Sequence, residues 1–578
     1  MAGKVSTGRK ARASWRGRVA QLGLAPARAT ALRAWLLGTT ALLPAIGAAQ
    51  AQAPNARPTG GQVVAGSATI GQTATNTTIN QATDRAAINW QQFNVGSQHS
   101  VTFQQPSASS WTLNRVVGSD PSLIAGRITA NGGVAIVNQS GVVFAGGAQV
   151  NVGSLIASAA NITNQNFMNG RMVFDGAPNP GATVENHGSI TVADRGLAAL
   201  VGPRVHNSGV IRARLGRAAL AGAETYSLDL AGDGLLSIDV TQAVRSTPAG
   251  TTALVTNSGT IEAAGGSVLI SAHAASGLVE DLVRNTGTVS AATEAGRTGQ
   301  VALRAQGGGV RVEGKVSAVG GAGQRGGSVA IAASGTATVA RGTVVDASGG
   351  AGGGTVAIGN ARTRNARVQG KVTARGTGRG ARGGTVTVQA RETATVAATG
   401  TVDVSGTAGG GDIRLGTTGF GRDQTMAATT VLEQGGRLVA DATANGTGGT
   451  IAINSTTETR MLGTASARGG AQGGNGGFVE VSALGNISFP SLSTQVDLTA
   501  PAGRAGTLLL DPLSITIIGD EGHRRPARKA MWRAGMRRRA ATSMFAPSTL
   551  RPARPIWCWK RSRPSPSMPP SPSRSAAT

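Results

Sequence analysis

Apolar and polar positions alternate along this chain in short bursts, each opened by glycine. The phrase appears as GSVLI at 266, GQVAL at 299, GSVAI at 327, GTVAI at 354, GTVTV at 384, GDIRL at 411, GTIAI at 449, GFVEV at 477 and GTLLL at 506. A period of two over about five residues is the mark of a short strand with one face turned inward. A second phrase interleaves with it: NHGSI at 186, NSGVI at 207, NSGTI at 257 and NTGTV at 285, followed by GKV at 314, GTV at 342, GKV at 370 and GTV at 400. From Gly259 its glycine recurs at 287, 314, 342, 370 and 400, a repeat of 27 to 30 residues. Each repeat therefore holds at least two strands, with no helical periodicity between them. Such a chain is predicted to coil and stack each strand on its counterpart one turn later, which makes an all-β fold of the parallel β-helix type. At about 4.8 Å per level the repeats would build roughly 17 to 20 levels.

A narrow interior of that kind suits Val, Ile, Leu and Ala stacked on their own kind, and the composition agrees: 40% hydrophobic residues but only 3% aromatic, with 87 glycines for the corners. Asn186, Asn207, Asn257 and Asn285 recur at one place in the repeat. They are candidate corner residues, either stacked as a ladder or each capping its own isolated turn. Residues 54 to about 250 are less regular. Two stretches, MVFDGAPNPGATV and AETYSLDLAGDGLLSIDVTQAV, break the rhythm and are expected to form hairpins or extra strands on the flank. This segment is placed to cap the solenoid, whose first coil would otherwise offer an open sheet edge.

The net charge of +27 suggests a polyanion binder until it is mapped. Eight Lys or Arg fall in residues 1–53, which hold no acid, and fourteen fall in residues 520–578, leaving 32 basic against 25 acidic residues between them. The overall charge of the middle is thus modest, and nucleic acid is not an expected partner. The first 53 residues place a basic stretch before AWLLGTTALLPAIGAA and then AQAQAP, the order of a secretory signal cut after Ala51 or Ala53. The apolar run holds Pro44 and is short for a membrane-crossing helix. The only cysteine is Cys558, so no intrachain disulfide forms. Residues 520–578 lose the coil pattern and hold nine of the 22 prolines and three of the seven tryptophans. They read as a basic disordered tail, or as a shifted frame of GC-rich coding sequence.

The run from Thr77 to Ala159, TTINQATDRAAINWQQFNVGSQHSVTFQQPSASSWTLNRVVGSDPSLIAGRITANGGVAIVNQSGVVFAGGAQVNVGSLIASA, resembles the secretion (haemagglutination-activity) domain of filamentous haemagglutinin-type exoproteins. The later phrase GTLLLDPLSITI is also typical of them. The resemblance implies a right-handed parallel β-helix, a surface adhesin secreted from a Gram-negative cell by way of the periplasm, and an outer-membrane β-barrel transporter as partner. It divides the chain into a signal (1–53), a secretion domain (54–300), Gly-rich coils (301–519) and the tail (520–578). The family motif Asn-Pro-Asn-Gly falls on Asn138, Gln139, Ser140 and Gly141, where the first and last residues match and the middle two do not. These four are the candidate secretion motif; no receptor is named by the sequence.

β-Helices also cleave polysaccharides, a chemistry that would need carboxylates converging on one outer face. Acids in the repeats are mostly single, as at Glu313, Asp346, Asp403 and Asp412, and the close pairs are Glu280 with Asp281 and Asp229 with Asp233. His99, His187, His206, His273 and His523 show no HxH or HxxxH spacing, although His187 and His206 sit beside the Asn phrase one coil apart. No GxxxxGK[ST] phosphate loop occurs. The expected reading is a non-enzymatic adhesin without cofactor or metal. Its alternatives are the front of a growth-inhibiting or haem-capturing exoprotein, or a polysaccharide lyase or hydrolase.

Overall fold

In a computed structural model, the structure describes residues 52–229, 237–419, 425–490, 495–512 and 556–559. The predicted signal segment through Ala51 and nearly all of the tail lie outside them. From Gln52 onward the described chain is a parallel β-helix with three strands per coil. One coil shows the pattern: Gly133–Val137 on the first face, Gly141–Phe144 on the second, Gln149–Val152 on the third, then Ser154–Ser158 back on the first. Each strand pairs in parallel with its equivalent a coil later, as Leu155 with Ala198, Val142 with Val184 and Val150 with Ile190. The third face alone stacks sixteen strands. That is slightly fewer levels than the repeat spacing suggested, because inserts between residues 159 and 183 and between 222 and 255 use chain without adding coils.

Alternation fails on one stretch of the first face, and the failure is informative. Gly133–Val137 and Leu197–Gly202 are buried at every position, whereas Gln300–Gln306 and Ser328–Ala333 alternate inward and outward. A strand buried on both sides needs a second layer. That layer is the pair of rhythm-breaking stretches: Met172–Phe174, Thr225–Asp229 and Ser237–Gln242 form one three-stranded antiparallel sheet. The short helix Asn164–Met168, capped by the Thr163 hydroxyl, adds Phe167. Phe167, Phe174 and Tyr226 pack on Trp111, Leu113, Ile156 and Leu197 in a second core, with Phe174 and Tyr226 stacked at 4.6 Å. These aromatics lie outside the coil, whereas Trp90, Phe93, Phe103 and Phe144 are buried in the interior of the first levels, so the interior there is wide enough for large rings.

At the N-terminal end the ladder closes with antiparallel pairs, Gln62–Ala65 on Arg85–Trp90 and Ala68–Gln72 on Asn76–Gln81. No break occurs near residue 300: Gln300–Gln306 is in register with Ser267–His273 on one side and Ser328–Ala333 on the other. The glycine that opens each first-face strand has a steric reason. A Cβ on Gly354 would stand 2.0 Å from the Gly327 carbonyl oxygen of the coil before, and the same clash recurs along the row. In the tail, Ile556–Trp559 pairs in parallel with Thr507–Pro512.

Candidate functional site

The turn Asn138–Gly141 joins the first face to the second, and every one of its residues is tied to another level. The Asn138 amide is buried: its Nδ2 donates to the Asp120 carbonyl at 2.9 Å and to Ser122 Oγ at 3.0 Å, one coil earlier. Its Oδ1 accepts from the Ser140 N–H at 2.9 Å, and its carbonyl accepts from the Gly141 N–H at 2.9 Å, closing the turn. Gly141 has φ +112, and a Cβ there would stand 2.5 Å from the Thr183 carbonyl oxygen. Gly is therefore required for both conformation and space.

Gln139 and Ser140, where the family motif has Pro and Asn, are bonded on both sides of the turn. Gln139 Nε2 donates to the Ala177 carbonyl at 2.5 Å, and its own carbonyl accepts from the Asn179 N–H at 2.8 Å. Ser140 Oγ donates to the Ser119 carbonyl at 2.6 Å and accepts from Asn179 Nδ2 at 2.9 Å. The turn thus clamps residues 119–122 of one coil to the 177–179 loop that precedes the next. Hydrogen bonds to neighbouring levels hold here what proline would preset through φ.

Directly along the second face, Phe144 is in register with Asn186, and Asn186 with Asn207, Asn257 and Asn285 in turn. The four amides form a continuous buried ladder. Nδ2 of Asn186 donates to Oδ1 of Asn207 at 2.8 Å, Asn207 to Asn257 at 2.7 Å, and Asn257 to Asn285 at 2.7 Å. The first acceptor, Oδ1 of Asn186, takes the Gly188 N–H at 3.2 Å, and the last donor, Nδ2 of Asn285, reaches the Gly287 carbonyl at 3.2 Å. Each internal amide is satisfied by its neighbour, so burial carries no unpaired polar group.

Other polar anchors of this region left no sequence signal. Arg115 is half-buried with no described carboxylate beside it: Nε donates to Asn161 Oδ1 at 2.9 Å, Nη1 to Asn164 Oδ1 at 2.7 Å and to Asn89 Oδ1 at 3.1 Å, and Nη2 to the Ile162 carbonyl. It fastens the helix layer to the first face, and burial lowers its pKa. At the cap, Gln105 donates to Thr112 Oγ1 at 3.0 Å and to the Gly133 carbonyl at 2.9 Å, while its Oε1 accepts from the Gly132 N–H at 2.8 Å. Their partners are asparagines, threonines and backbone, types too common to single out in sequence.

Among the described residues, the histidines and acids singled out by the sequence take mostly local partners. His187 and His206 are neighbours, with ring centroids 5.5 Å apart. Their nitrogens are engaged locally, His187 with Ser208 Oγ and Glu185 Oε2 at 2.6 and 3.0 Å, and His206 with Thr256 Oγ1 at 2.6 Å. Glu313 pairs with Arg284 at 2.7 Å and Asp281 with Arg311 at 2.6 Å. Asp346 and Asp403 accept the Ser348 and Ser405 N–H groups at 2.8 and 2.9 Å, closing corners. Asp412 lies on the first face beside Thr385 and Thr450; Asp233 and His523 lie outside the described residues. Among the described residues no cluster of three or more His, Cys, Asp or Glu is arranged to hold a metal.

Residues 54–318 match the family described as the TPS secretion domain, a span that includes the clamped turn, the flank sheet and the whole asparagine ladder. Two relatives, both "Heme/hemopexin-binding protein", come from Haemophilus influenzae. The protein of strain ATCC 51907 / DSM 11121 / KW20 / Rd is 39% identical over 105 residues, 18% of this chain and 12% of its own length. The other is 39% identical over 117 residues, 20% of this chain and 12% of its own. The matched part is thus about an eighth of either relative. Among solved structures, the HMW1 secretion domain from Haemophilus influenzae aligns with a TM-score of 0.49 at 24% identity, over 78% of this chain and 100% of that one. The filamentous hemagglutinin secretion domain aligns at 0.33 and 14%, over 55% and 94%. Over residues 54–318, therefore, the chain matches a TPS secretion domain.

Proposed function

We propose that this chain is a non-enzymatic surface adhesin, carried through the periplasm after removal of residues 1–51 or 1–53 and delivered through an outer-membrane β-barrel whose periplasmic part reads the clamped turn at Asn138–Gly141. The observation that supports this most is the turn itself. Inside a TPS secretion domain, four consecutive residues bond to levels on both sides, so the surface they present is fixed before any partner meets it. Preorganisation of that kind lowers the ordering cost of recognition. Each carboxylate described above has a local bond or an isolated place, which favours adhesion over polysaccharide cleavage.

The test is co-expression with the cognate transporter. Native chain is expected in the medium, and Asn138→Ala, which removes two donated bonds and one accepted bond, is expected to reduce secretion severalfold while the helix still folds. A chain that reaches the medium equally well without any transporter sinks the proposal. A second reading, capture of haem, is favoured only by the local 39% identity to proteins of that name. Absorbance titration of the exported chain with haemin separates the two.

A further inference from the structure

We infer that the peptide bond between Asp511 and Pro512 is a self-cleavage site, at which the Asp511 carboxyl severs its own main chain and detaches residues 512–578. The step occurs once per molecule and turns over no substrate, so it stands apart from the adhesin reading. The first-face strand Thr507–Pro512 pairs in parallel with Phe478–Ala483, with Asp511 in register with Ser482 and Pro512 with Ala483. Among the described residues, Oδ1 of Asp511 is the one carboxylate oxygen that is buried without a hydrogen-bond partner. Its neighbour in register does not supply one, because Ser482 Oγ donates to Oε1 of Glu480 at 2.9 Å instead. A buried polar atom left in that state is costly, and in a native fold it calls for a reason.

A second Asp–Pro bond in the same chain provides the contrast. Asp120 precedes Pro121, but it is exposed and its Oδ2 accepts from Gln92 Nε2 at 3.1 Å. Its carboxylate must shed water and Gln92 before it can turn on the main chain. The carboxylates at the coil corners are occupied as well: Asp346, Asp403 and Asp497 accept from the N–H groups of Ser348, Ser405 and Thr499 at 2.8, 2.9 and 3.0 Å. One dipeptide thus stands in two settings, and only at Asp511 is a carboxyl oxygen held away from water with nothing to give up.

Proline makes the bond that follows the weak one. Its nitrogen carries no hydrogen and belongs to a tertiary amide, which departs as a secondary amine once it is protonated. Oδ1 attacks the main-chain carbonyl carbon of Asp511, forming an O–C bond and closing a five-membered ring. The C–N bond to Pro512 breaks with its electron pair on nitrogen, and the carboxyl proton moves to that nitrogen. Asp511 is left as a cyclic anhydride. Solvent water then gives its hydroxyl to an anhydride carbonyl and its proton to the carboxyl oxygen set free, so that Asp511 ends with two carboxyl groups; one water is consumed and nothing is oxidised or reduced. The attacking oxygen and the carbonyl belong to one residue, so the reaction asks only for orientation, which the paired strand supplies by fixing the main chain.

Ile556–Trp559 pairs in parallel with Thr507–Pro512, so the severed piece stays docked until it is denatured. The purified full chain is therefore held folded, and in parallel unfolded in urea, with protease inhibitors present, and intact masses are followed with time after denaturation. The folded chain is expected to give one fragment pair, ending at Asp511 and beginning at Pro512, about tenfold faster than the Asp120–Pro121 bond of the same molecule and about tenfold faster than the same bond in urea. Asp511→Asn and Pro512→Ala are each expected to slow this scission about tenfold, while Asp120→Asn leaves it within about twofold, with circular dichroism confirming the fold of each. No fragments meeting between residues 511 and 512, equal rates at the two Asp–Pro bonds, equal rates folded and in urea, or undiminished scission in Asp511→Asn would overturn the assignment.

Discussion

One interior column of the second face passes through two chemistries on an unchanged backbone. It runs through Asn186, Asn207, Asn257 and Asn285 and then, in unbroken register, through Val312, Val339, Val368, Val396, Leu432 and Met461. All ten side chains are buried. Pairing of the main chain therefore does not dictate what fills the core. An aliphatic column is held by packing that tolerates exchange of like for like, whereas an amide column is satisfied only when each level presents its amide at the same height as the last. The polar levels specify register, and they lie within the residues that match the TPS secretion domain; the aliphatic levels extend the stack.

The sharpest way to break this contrast is Asn207→Leu. It strips the acceptor from Asn186 and the donor from Asn257 at once, leaving two buried polar groups short of a partner at about 1–3 kcal/mol each. The same leucine in the aliphatic column, at Val339, changes volume alone and is expected to cost less. Because a solenoid opens level by level, the proper measurement is hydrogen exchange. Amides of residues 205–212 and 255–262 should lose protection in Asn207→Leu, while those beyond residue 310 keep theirs. Uniform loss along the chain would show that the ladder has no local role.

Replacing all four asparagines by valine should do less harm than the single leucine. Removing both partners of a buried hydrogen bond by apolar groups of similar size is close to neutral, so the fourfold variant is expected to melt within a few degrees of the native chain. Its register should nevertheless loosen, and secretion through the transporter should fall although stability does not. A fourfold variant less stable than Asn207→Leu would mean that the amides contribute individually rather than as a chain.

Much of this was legible in the sequence. The Gly-aliphatic phrases marked the strands of the first face, the Asn phrase marked one column, and the stretches that broke the rhythm marked the flank layer, because each is a departure from or adherence to a period. Three strands per coil were harder to count than two, since the second face is only three or four residues long in most coils, as at Val255–Asn257. From the sequence the asparagines are either stacked or self-capping; the amide-to-amide distances of 2.8, 2.7 and 2.7 Å make them stacked. Gln139 and Ser140 looked like losses against the family motif, and their bonds run to residues about 20 and 40 positions away. Charge was least legible. A modest net charge over residues 54–519 does not tell which arginines meet a carboxylate on the next level, as Arg284 and Arg311 do, because summing along the chain mixes faces that the coil separates.

The smallest expected effect is on pH, and it too divides the two regions. His99, His206 and His273 belong to the N-terminal levels, and no described residue beyond 273 is a histidine. Burial lowers the pKa of all three; beside His206 the ring of His187 adds to the effect and Glu185 opposes it. His99 is the most enclosed, bonded to Thr77 Oγ1 at 2.9 Å and to the Ala74 carbonyl at 3.3 Å within the cap. A base whose folded pKa lies below its unfolded value near 6.5 leaves stability unchanged above that pH. As pH falls through 6.5 the unfolded chain takes up protons that the folded chain resists, and stability declines until the folded pKa is reached. Between pH 7.5 and 5.5 the levels before residue 290 should therefore gain exchange while those after 310 do not, once intrinsic exchange rates are corrected for pH. His99→Gln should remove part of that difference at the cap. If both regions respond alike, the acid sensitivity comes from carboxylate pairs shared along the coils, and the histidines mark no boundary.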